Sequence, residues 1–204
     1  PSSIYLPLFK DTNINLCTQD IALCEKLNLT GDISIHQLKS LDVKYAIIGH
    51  FERRKYYKES EYEILEKIKD ALENNIKVIY CIGETAEEKE RKVEYQVLER
   101  QIARILNKLN PKELKNIIIA YEPSYLIGKE TTYDILKIRS MIIFIKKLIQ
   151  DYYGINIEVV FGGSVNNYNI DYLTNIKDLD GFIICSSVLY PENITQIIKK
   201  MTIK

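Results

Sequence analysis

Short apolar runs rich in β-branched residues alternate along this chain with longer stretches in which apolar residues recur every three or four positions. The first pattern predicts buried strands, and the second predicts helices that bury one face. Six strands are predicted, at Ile14–Thr18, Tyr45–Gly49, Lys77–Ile82, Asn116–Tyr121, Ile155–Phe161 and Gly181–Cys185. Helices are predicted at Glu59–Asn74, Ala86–Asn107, Tyr133–Tyr152, Asn169–Leu173 and Glu192–Ile203.

This alternation predicts an α/β fold in which parallel strands are joined by right-handed helical crossovers. The length of 204 residues suits one domain with a sizeable core, and no linker, repeat or low-complexity segment divides the sequence. We therefore expect a single domain over residues 1–204. Periodicity alone leaves open whether the sheet is open or closed into a barrel.

Charge and cysteine usage narrow the class of protein. The 28 basic residues equal the 28 acidic residues, so the chain lacks the excess positive charge of a dedicated nucleic-acid binder. No apolar run is long enough to span a bilayer, so no membrane association is expected. The four cysteines, Cys17, Cys24, Cys81 and Cys185, have no zinc-type spacing, which predicts reduced thiols in a cytoplasmic protein without a metal site.

Candidate chemistry follows the predicted strands, because parallel α/β folds collect functional groups at the carboxyl ends of their strands. His50 follows the second strand, with Glu52 and Arg53 just beyond it. Such a cluster can fix the tautomer of the ring and hold it rigidly. A hydrogen-bonded structural histidine is the alternative interpretation.

Glu122 ends the apolar strand before Pro123. A carboxylate in this position is desolvated, and desolvation makes it a stronger base near neutral pH. Gly128, in the loop that follows, allows the backbone to approach a ligand closely. The alternative for Glu122 is a carboxylate paired with a structural arginine.

The turn Gly162-Gly163-Ser164 follows a further strand. Glycines and a serine at a strand-to-helix turn expose backbone N–H groups to an anion, typically phosphate. A tight turn without a ligand is the alternative. The chain has no Walker lysine and no GxGxxG, so nucleotide binding finds no support.

Eight short segments, taken in order, resemble the triosephosphate isomerase family. They are Leu29–Ser34, Ile47–Arg54, Lys58–Ser60, Cys81–Glu84, Ala120–Pro123, Ile127–Gly128, Phe161–Val165 and Asp180–Phe182. The resemblance implies an eight-stranded β/α barrel and a cytoplasmic homodimer of glycolysis and gluconeogenesis. It also implies interconversion of dihydroxyacetone phosphate and glyceraldehyde 3-phosphate through an enediolate, without a cofactor or metal.

The resemblance assigns catalytic roles by position. Glu122 is expected to be the base that moves a proton between adjacent substrate carbons. His50 is expected to polarise the carbonyl, since the imidazole acts in its neutral form in this family. Glu52 is expected to support the site.

The resemblance also assigns substrate and subunit contacts. Gly128, Ser164 and the pair Cys185–Ser186 are expected to contact the substrate phosphate. The segment from Pro123 to about Thr131 matches the family's lid, which excludes water from the intermediate. The loop near Asp20–Ser34 matches the loop that docks into the partner subunit.

One departure concerns the N-terminal part of the barrel. The family carries an Asn-x-Lys on an early strand, whose lysine holds the substrate, and we find no counterpart here. Pro1–Leu6 aligns best just after the second strand, so the chain is expected to begin about 40 residues late, since a barrel of about 250 residues spends about 31 on each βα unit. We therefore expect about strands three to eight without the first two, and little or no activity in the chain as it stands.

Four smaller departures lie near the expected site. Phe51 replaces a serine, Tyr125 a lid tryptophan, Glu130 a lid glycine and Cys185–Ser186 a glycine pair. They motivate an alternative, a catalytically inactive remnant of the enzyme or a non-catalytic binding protein. A third reading is another phosphate-binding barrel isomerase, which would bind phosphate without turning over triose phosphate.

Overall fold

Strands and helices alternate throughout residues 2–23, 29–128, 133–185 and 190–202, the parts of the chain that the computed structural model describes. The strands are β1 (Cys17–Thr18), β2 (Tyr45–Ile48), β3 (Lys77–Ile82), β4 (Ile117–Tyr121), β5 (Glu158–Phe161) and β6 (Gly181–Phe182). The α-helices are α1 (Ile35–Ser40), α2 (Phe51–Tyr56), α3 (Glu61–Glu73), α4 (Ala86–Glu90), α5 (Glu94–Leu106), α6 (Ile135–Tyr153), α7 (Ile170–Leu173) and α8 (Pro191–Thr202). Single 3-10 helices occupy Ser3–Phe9, Leu114–Asn116 and Ser124–Leu126.

The strands are hydrogen-bonded in chain order, from β1 to β6. The pairs β1–β2, β2–β3 and β5–β6 are parallel, with Cys17 opposite Tyr45, Tyr45 opposite Lys77 and Val160 opposite Gly181. Every strand is followed by a helix before the next strand begins. The predicted α/β class is confirmed, and this order is that of a β/α barrel of which the described residues hold six strands.

The helices differ from the prediction in two respects. The predicted helix Ala86–Asn107 is two helices, α4 and α5, because Lys92 at the junction has a φ of 56°, a left-handed conformation incompatible with an α-helix. The periodicity does not predict α1 and α2, since each has only six residues and cannot show a repeating apolar pattern. Across the described ranges, no helix is both long and apolar enough to cross a membrane.

The strands at either end of the order are shorter than predicted. β1 and β6 have two residues each, whereas the apolar runs predict strands over Ile14–Thr18 and Gly181–Cys185. An apolar run shows which residues favour extended backbone, whereas a strand requires a hydrogen-bonded neighbour. The predicted end of the last helix, Ile203, lies outside the described residues.

The described chain separates into two compact units. The first comprises Pro1–Cys81 and Ala103–Ile118, and the second comprises Ile82–Ile102 and Ile119–Lys204. In the first unit α3 packs against β2, and fully buried side chains include Leu38, Ala46, Ile48, Ile64, Ile68 and Val78. In the second unit α6 packs against β5, and fully buried side chains include Met141, Ile142, Ile145, Val159, Phe161 and Leu173. The single domain expected over residues 1–204 stays a prediction.

The first unit contains a buried network of two acidic and two basic side chains. Lys67 Nζ lies 2.7 Å from Asp20 Oδ2 and 2.5 Å from Glu59 Oε1. Arg53 Nε lies 2.7 Å from the same Asp20 oxygen and 3.3 Å from the same Glu59 oxygen. Burial raises the pKa of Asp20, and the hydrogen bond from Lys67 opposes that rise. Because Lys67 is only 4% exposed, its charge is compensated inside the protein rather than by water.

Replacing Lys67 with methionine is expected to lower the free energy of unfolding by about 3–5 kcal/mol, because two buried carboxylates then share one cation. The measurement is urea unfolding followed by circular dichroism. The matched control is Lys69→Met on the same helix, whose ion pair with Glu66 is partly exposed. That control is expected to cost at most about 1 kcal/mol. Equal losses in the two variants would contradict a stabilising role for the buried network.

Candidate active site

His50 lies where β2 ends and α2 begins, in the first unit. Its backbone is non-helical, with φ −53° and ψ 144°, and its ring nitrogen Nδ1 accepts a hydrogen bond of 3.4 Å from the N–H of Glu52 in the first turn of α2. The residue therefore serves as the N-cap of α2. A nitrogen that accepts a hydrogen bond carries no proton, so the neutral ring holds its proton on Nε2.

Burial keeps the His50 ring neutral. It lowers the pKa of His50, and the nearby Glu52 carboxylate partly opposes this by favouring the charged ring. A Glu52 oxygen lies 3.7 Å from Nδ1. Because Glu52 is more than half exposed, water screens its charge and burial has the larger effect.

Arg54 holds the backbone that leads into His50. Its Nε donates a 2.7 Å hydrogen bond to the carbonyl of Gly49, and its Nη2 donates a 3.3 Å bond to the carbonyl of Cys81. The guanidinium is held in turn by Glu61, whose carboxylate lies 2.6 Å from Nη1. One arginine thus joins the ends of β2 and β3, which fixes the position from which the imidazole projects.

In the second unit, Glu122 directly follows β4 and is only 3% exposed. Its N–H donates a 2.7 Å hydrogen bond to the carbonyl of Ile82 at the end of β3. The N–H of Gly162 donates a 3.0 Å bond to the carbonyl of Tyr121 at the end of β4. The sheet ladder thus continues past the strands, and Glu122 is positioned by rigid backbone.

Two glycines make room for Glu122. A Cβ atom on Gly162 would lie 2.7 Å from Glu122 Oε1, and a Cβ on Gly83 would lie 2.2 Å from the Glu122 carbonyl oxygen. Both distances are shorter than van der Waals contact, so only glycine allows this approach. The Glu122 carboxylate consequently lies directly against the backbone of the Gly162-Gly163-Ser164 turn.

The predicted phosphate contacts are only partly brought together. The N–H of Gly128 donates a 2.5 Å hydrogen bond to Ser164 Oγ, so these two residues meet. Cys185 is exposed and lies beyond the end of β6. Ser186 lies outside the described residues, as do Glu130 and the end of the expected lid from residue 129 to 131.

Glu84 lies just after the predicted strand Lys77–Ile82, among the charged residues expected at strand ends, although no role is predicted for it. It is fully buried, and its carboxylate accepts a 3.0 Å hydrogen bond from the Tyr121 hydroxyl and another from Tyr125. Its carbonyl accepts the N–H of Ser124 at 3.0 Å. Burial raises the pKa of Glu84. Glu84 therefore anchors the first residues after Pro123, and its place two residues past an apolar strand is the signal that marks it in the sequence.

Among the residues that the structure describes, no group of three or more histidine, cysteine or carboxylate side chains is placed to hold an ion. The first unit thus offers a neutral imidazole at His50. The second unit, taken by itself, offers a buried carboxylate at Glu122 beside the Gly162 backbone.

The imidazole of His50 is expected to titrate below its ordinary pKa of 6.5, because burial disfavours its charged form. Glu52→Gln removes the charge that raises this pKa, so the value is expected to fall further. NMR titration of the ring protons checks both pKa values, with His36, the other histidine, replaced by glutamine for assignment.

The lowered pKa of His50 also predicts how stability depends on pH. The unfolded chain binds the proton more readily than the folded chain, so the free energy of unfolding is expected to fall as pH decreases below 6.5. A His50 pKa at or above 6.5 would contradict the conclusion that burial favours the neutral ring.

The chain matches the family model described as triosephosphate isomerase over residues 1–201. A triosephosphate isomerase of Alkaliphilus oremlandii is 34% identical over 191 residues, which covers 92% of this chain and 77% of the relative. That of Mesomycoplasma hyorhinis is 36% identical, covering 92% of this chain and 74% of the relative. That of Clostridium tetani is 32% identical, covering 97% of this chain and 81% of the relative. The matched region includes both the His50 corner and the Glu122 strand end, and the chain belongs to the triosephosphate isomerase family of isomerases.

Proposed function

We propose that this protein interconverts dihydroxyacetone phosphate and glyceraldehyde 3-phosphate. The observation that carries the proposal is the buried Glu122 carboxylate, held against a turn whose backbone suits an anion. A base beside an anion-binding turn fits a substrate whose phosphate lies a few bonds from an acidic C–H. The family membership supports the same reaction.

In this proposal Glu122 is the base. Its carboxylate removes a proton from the carbon next to the carbonyl, the electron pair forms a carbon–carbon double bond, and the carbonyl oxygen gains negative charge. The proton of the adjacent hydroxyl then passes to the former carbonyl oxygen, and return of the first proton from Glu122 to the former carbonyl carbon leaves a new carbonyl at the adjacent carbon, which is the isomer. Backbone hydrogen bonds at 2.7 Å and 3.0 Å support this role, because a base must be held in reacting geometry to be effective.

His50 is the group that stabilises the negative oxygen. A neutral imidazole with its proton on Nε2 can donate a hydrogen bond to that oxygen. The lowered pKa of His50 supports this role, since it preserves the neutral form at physiological pH. Glu52 supports the site by presenting the backbone N–H that fixes the tautomer.

Backbone donors bind the phosphate of the substrate. Gly128 and Ser164 are assigned to it by the family resemblance, and the 2.5 Å hydrogen bond from the Gly128 N–H to Ser164 Oγ supports the assignment only in that the two residues adjoin. Cys185 and Ser186 are assigned by resemblance alone. The substitution of a glycine pair by side chains there is expected to crowd the phosphate and weaken its binding.

Glu122→Gln is expected to lower kcat by about 10²–10⁴-fold, the contribution typical of a general base. Glu122→Asp keeps the base and is expected to lose less. The matched control is Glu158→Gln, an exposed carboxylate at the opposite, amino-terminal end of β5. Isomerisation is followed in a coupled spectrophotometric assay, with the 204-residue chain and with the chain extended by any in-frame segment encoded upstream of Pro1.

Turnover that survives Glu122→Gln would remove Glu122 from the mechanism. Absence of turnover in both forms of the chain would favour the inactive remnant or binding protein. Binding of inorganic phosphate without turnover of triose phosphate would favour a different phosphate-binding isomerase.

We infer further that the protein is a cytoplasmic homodimer of glycolysis and gluconeogenesis, joined through the loop near Asp20–Ser34. The support is the resemblance of that loop to the family's docking loop, of which residues 24–28 lie outside the described part.

Sedimentation velocity is expected to show a dimer at micromolar concentration. Leu29→Asp is expected to shift it towards monomer, because a charge at exposed Leu29 would have to be desolvated on docking. Leu136→Asp, at an exposed position on α6, is the control and is expected to leave the dimer intact. A monomeric wild-type protein would overturn the inference.

A further inference from the structure

Tyr133, which none of the matched segments contains, is bonded to the backbone of the Gly162-Gly163-Ser164 turn. Its single O–H lies within hydrogen-bonding distance of two acceptors, the carbonyl oxygen of Gly163 and, at 2.9 Å, that of Ser164, and is shared between them. Both carbonyl oxygens therefore point to one hydroxyl group, on one side of the turn.

This arrangement fixes the direction of two N–H groups. In a planar trans peptide the C=O and N–H bonds point in opposite directions. The N–H groups of Ser164 and Val165, which follow the two bonded carbonyls, therefore point to the side of the turn away from Tyr133. Successive N–H groups on one side of a turn form an anion-binding concavity.

The turn needs such an anchor because its backbone is strained. Ser164 has a φ of 51°, an uncommon value for a residue other than glycine. Such a conformation persists only where the surroundings hold it. The Ser164 carbonyl accepts side-chain N–H bonds from Asn166 at 3.2 Å and Asn169 at 3.1 Å in addition to its bond with Tyr133. The Tyr133 hydroxyl also reaches the Gly163 carbonyl.

Tyr133 is itself held in place. Its ring packs edge-on against Phe161, with ring centroids 5.9 Å apart, and it lies just before α6, whose N-cap is Asp134. Burial raises the pKa of Tyr133 to about 12. The hydroxyl therefore remains a hydrogen-bond donor at physiological pH.

We propose that Tyr133 is a positioning residue for phosphate, which orients the N–H groups of Ser164 and Val165 towards the anion without touching it. The proposal rests on the proposed function for the identity of the substrate. It gives Tyr133 a role in the affinity for the phosphate group rather than in proton transfer.

Tyr133→Phe removes the hydroxyl and keeps the ring. The KM for triose phosphate is expected to rise about tenfold, the effect of losing one hydrogen bond, with little change in kcat. The dissociation constant of inorganic phosphate, measured by titration of backbone ¹⁵N–¹H shifts, is expected to rise by the same factor. The shifts of Ser164 and Val165 report whether phosphate binds at this turn.

The matched control is Tyr95→Phe, which removes a hydroxyl from a ring packed against Phe144 on the outside of the second unit. It is expected to leave KM, kcat and phosphate affinity unchanged. Urea unfolding of both variants separates stability from binding.

Unchanged phosphate affinity in folded Tyr133→Phe would overturn the proposal, as would a fall in kcat with KM unchanged. Loss of the folded state in Tyr133→Phe would make the hydroxyl a structural group and would also overturn it. Phosphate binding that weakens in Tyr133→Phe, in a protein that turns over no triose phosphate, would support the proposal while contradicting the proposed function.

Discussion

Two backbone hydrogen bonds carry the sheet ladder beyond the strands and fix Glu122 in place. One joins its N–H to the carbonyl of Ile82, and the other joins the N–H of Gly162 to the carbonyl of Tyr121. Since these bonds continue the pairing of β3, β4 and β5, the backbone that carries the Glu122 carboxylate is held as part of the sheet. A base on a flexible loop would pay an entropic cost each time it reached its reacting position. The absence of a side chain at Gly162 then lets the carboxylate lie against the turn.

Buried charged side chains in this protein connect the ends of neighbouring strands and helices. Arg54 donates hydrogen bonds to the carbonyls at the ends of β2 and β3. The Glu84 carboxylate accepts hydrogen bonds from the hydroxyls of Tyr121 and Tyr125, which lie on either side of Glu122 in the chain. The network around Lys67 joins α3 to the residues after β1 and α2. Groups of this kind cost free energy to bury. Each gains compensating bonds that restrict the strand ends from which the candidate catalytic residues project.

Much of the candidate site is marked in the sequence, because its signals are local. His50, Glu122 and the Gly162-Gly163-Ser164 turn each follow an apolar run, and parallel strands direct their carboxyl ends to the same edge of the sheet. Tyr133 and Glu84 gave weaker signals. A tyrosine before a helix has many ordinary uses, and only the backbone carbonyls that it meets 30 and 31 residues further along the chain give it a role. The break between α4 and α5 depends similarly on one left-handed residue, Lys92, which no apolar period reports.

The sequence by itself determined the α/β class, the alternation of strands and helices along the chain and the residue types at the strand ends. These follow from periodicity and from short motifs, which act over a few residues. Only the tertiary structure decided that Gly162 must lack a side chain beside Glu122, that His50 accepts rather than donates at Nδ1, and that a hydroxyl orients the strained turn at Ser164. Such facts depend on distances between atoms far apart in the chain. Close packing and hydrogen-bond direction set those distances, and no local pattern of residues predicts either of them.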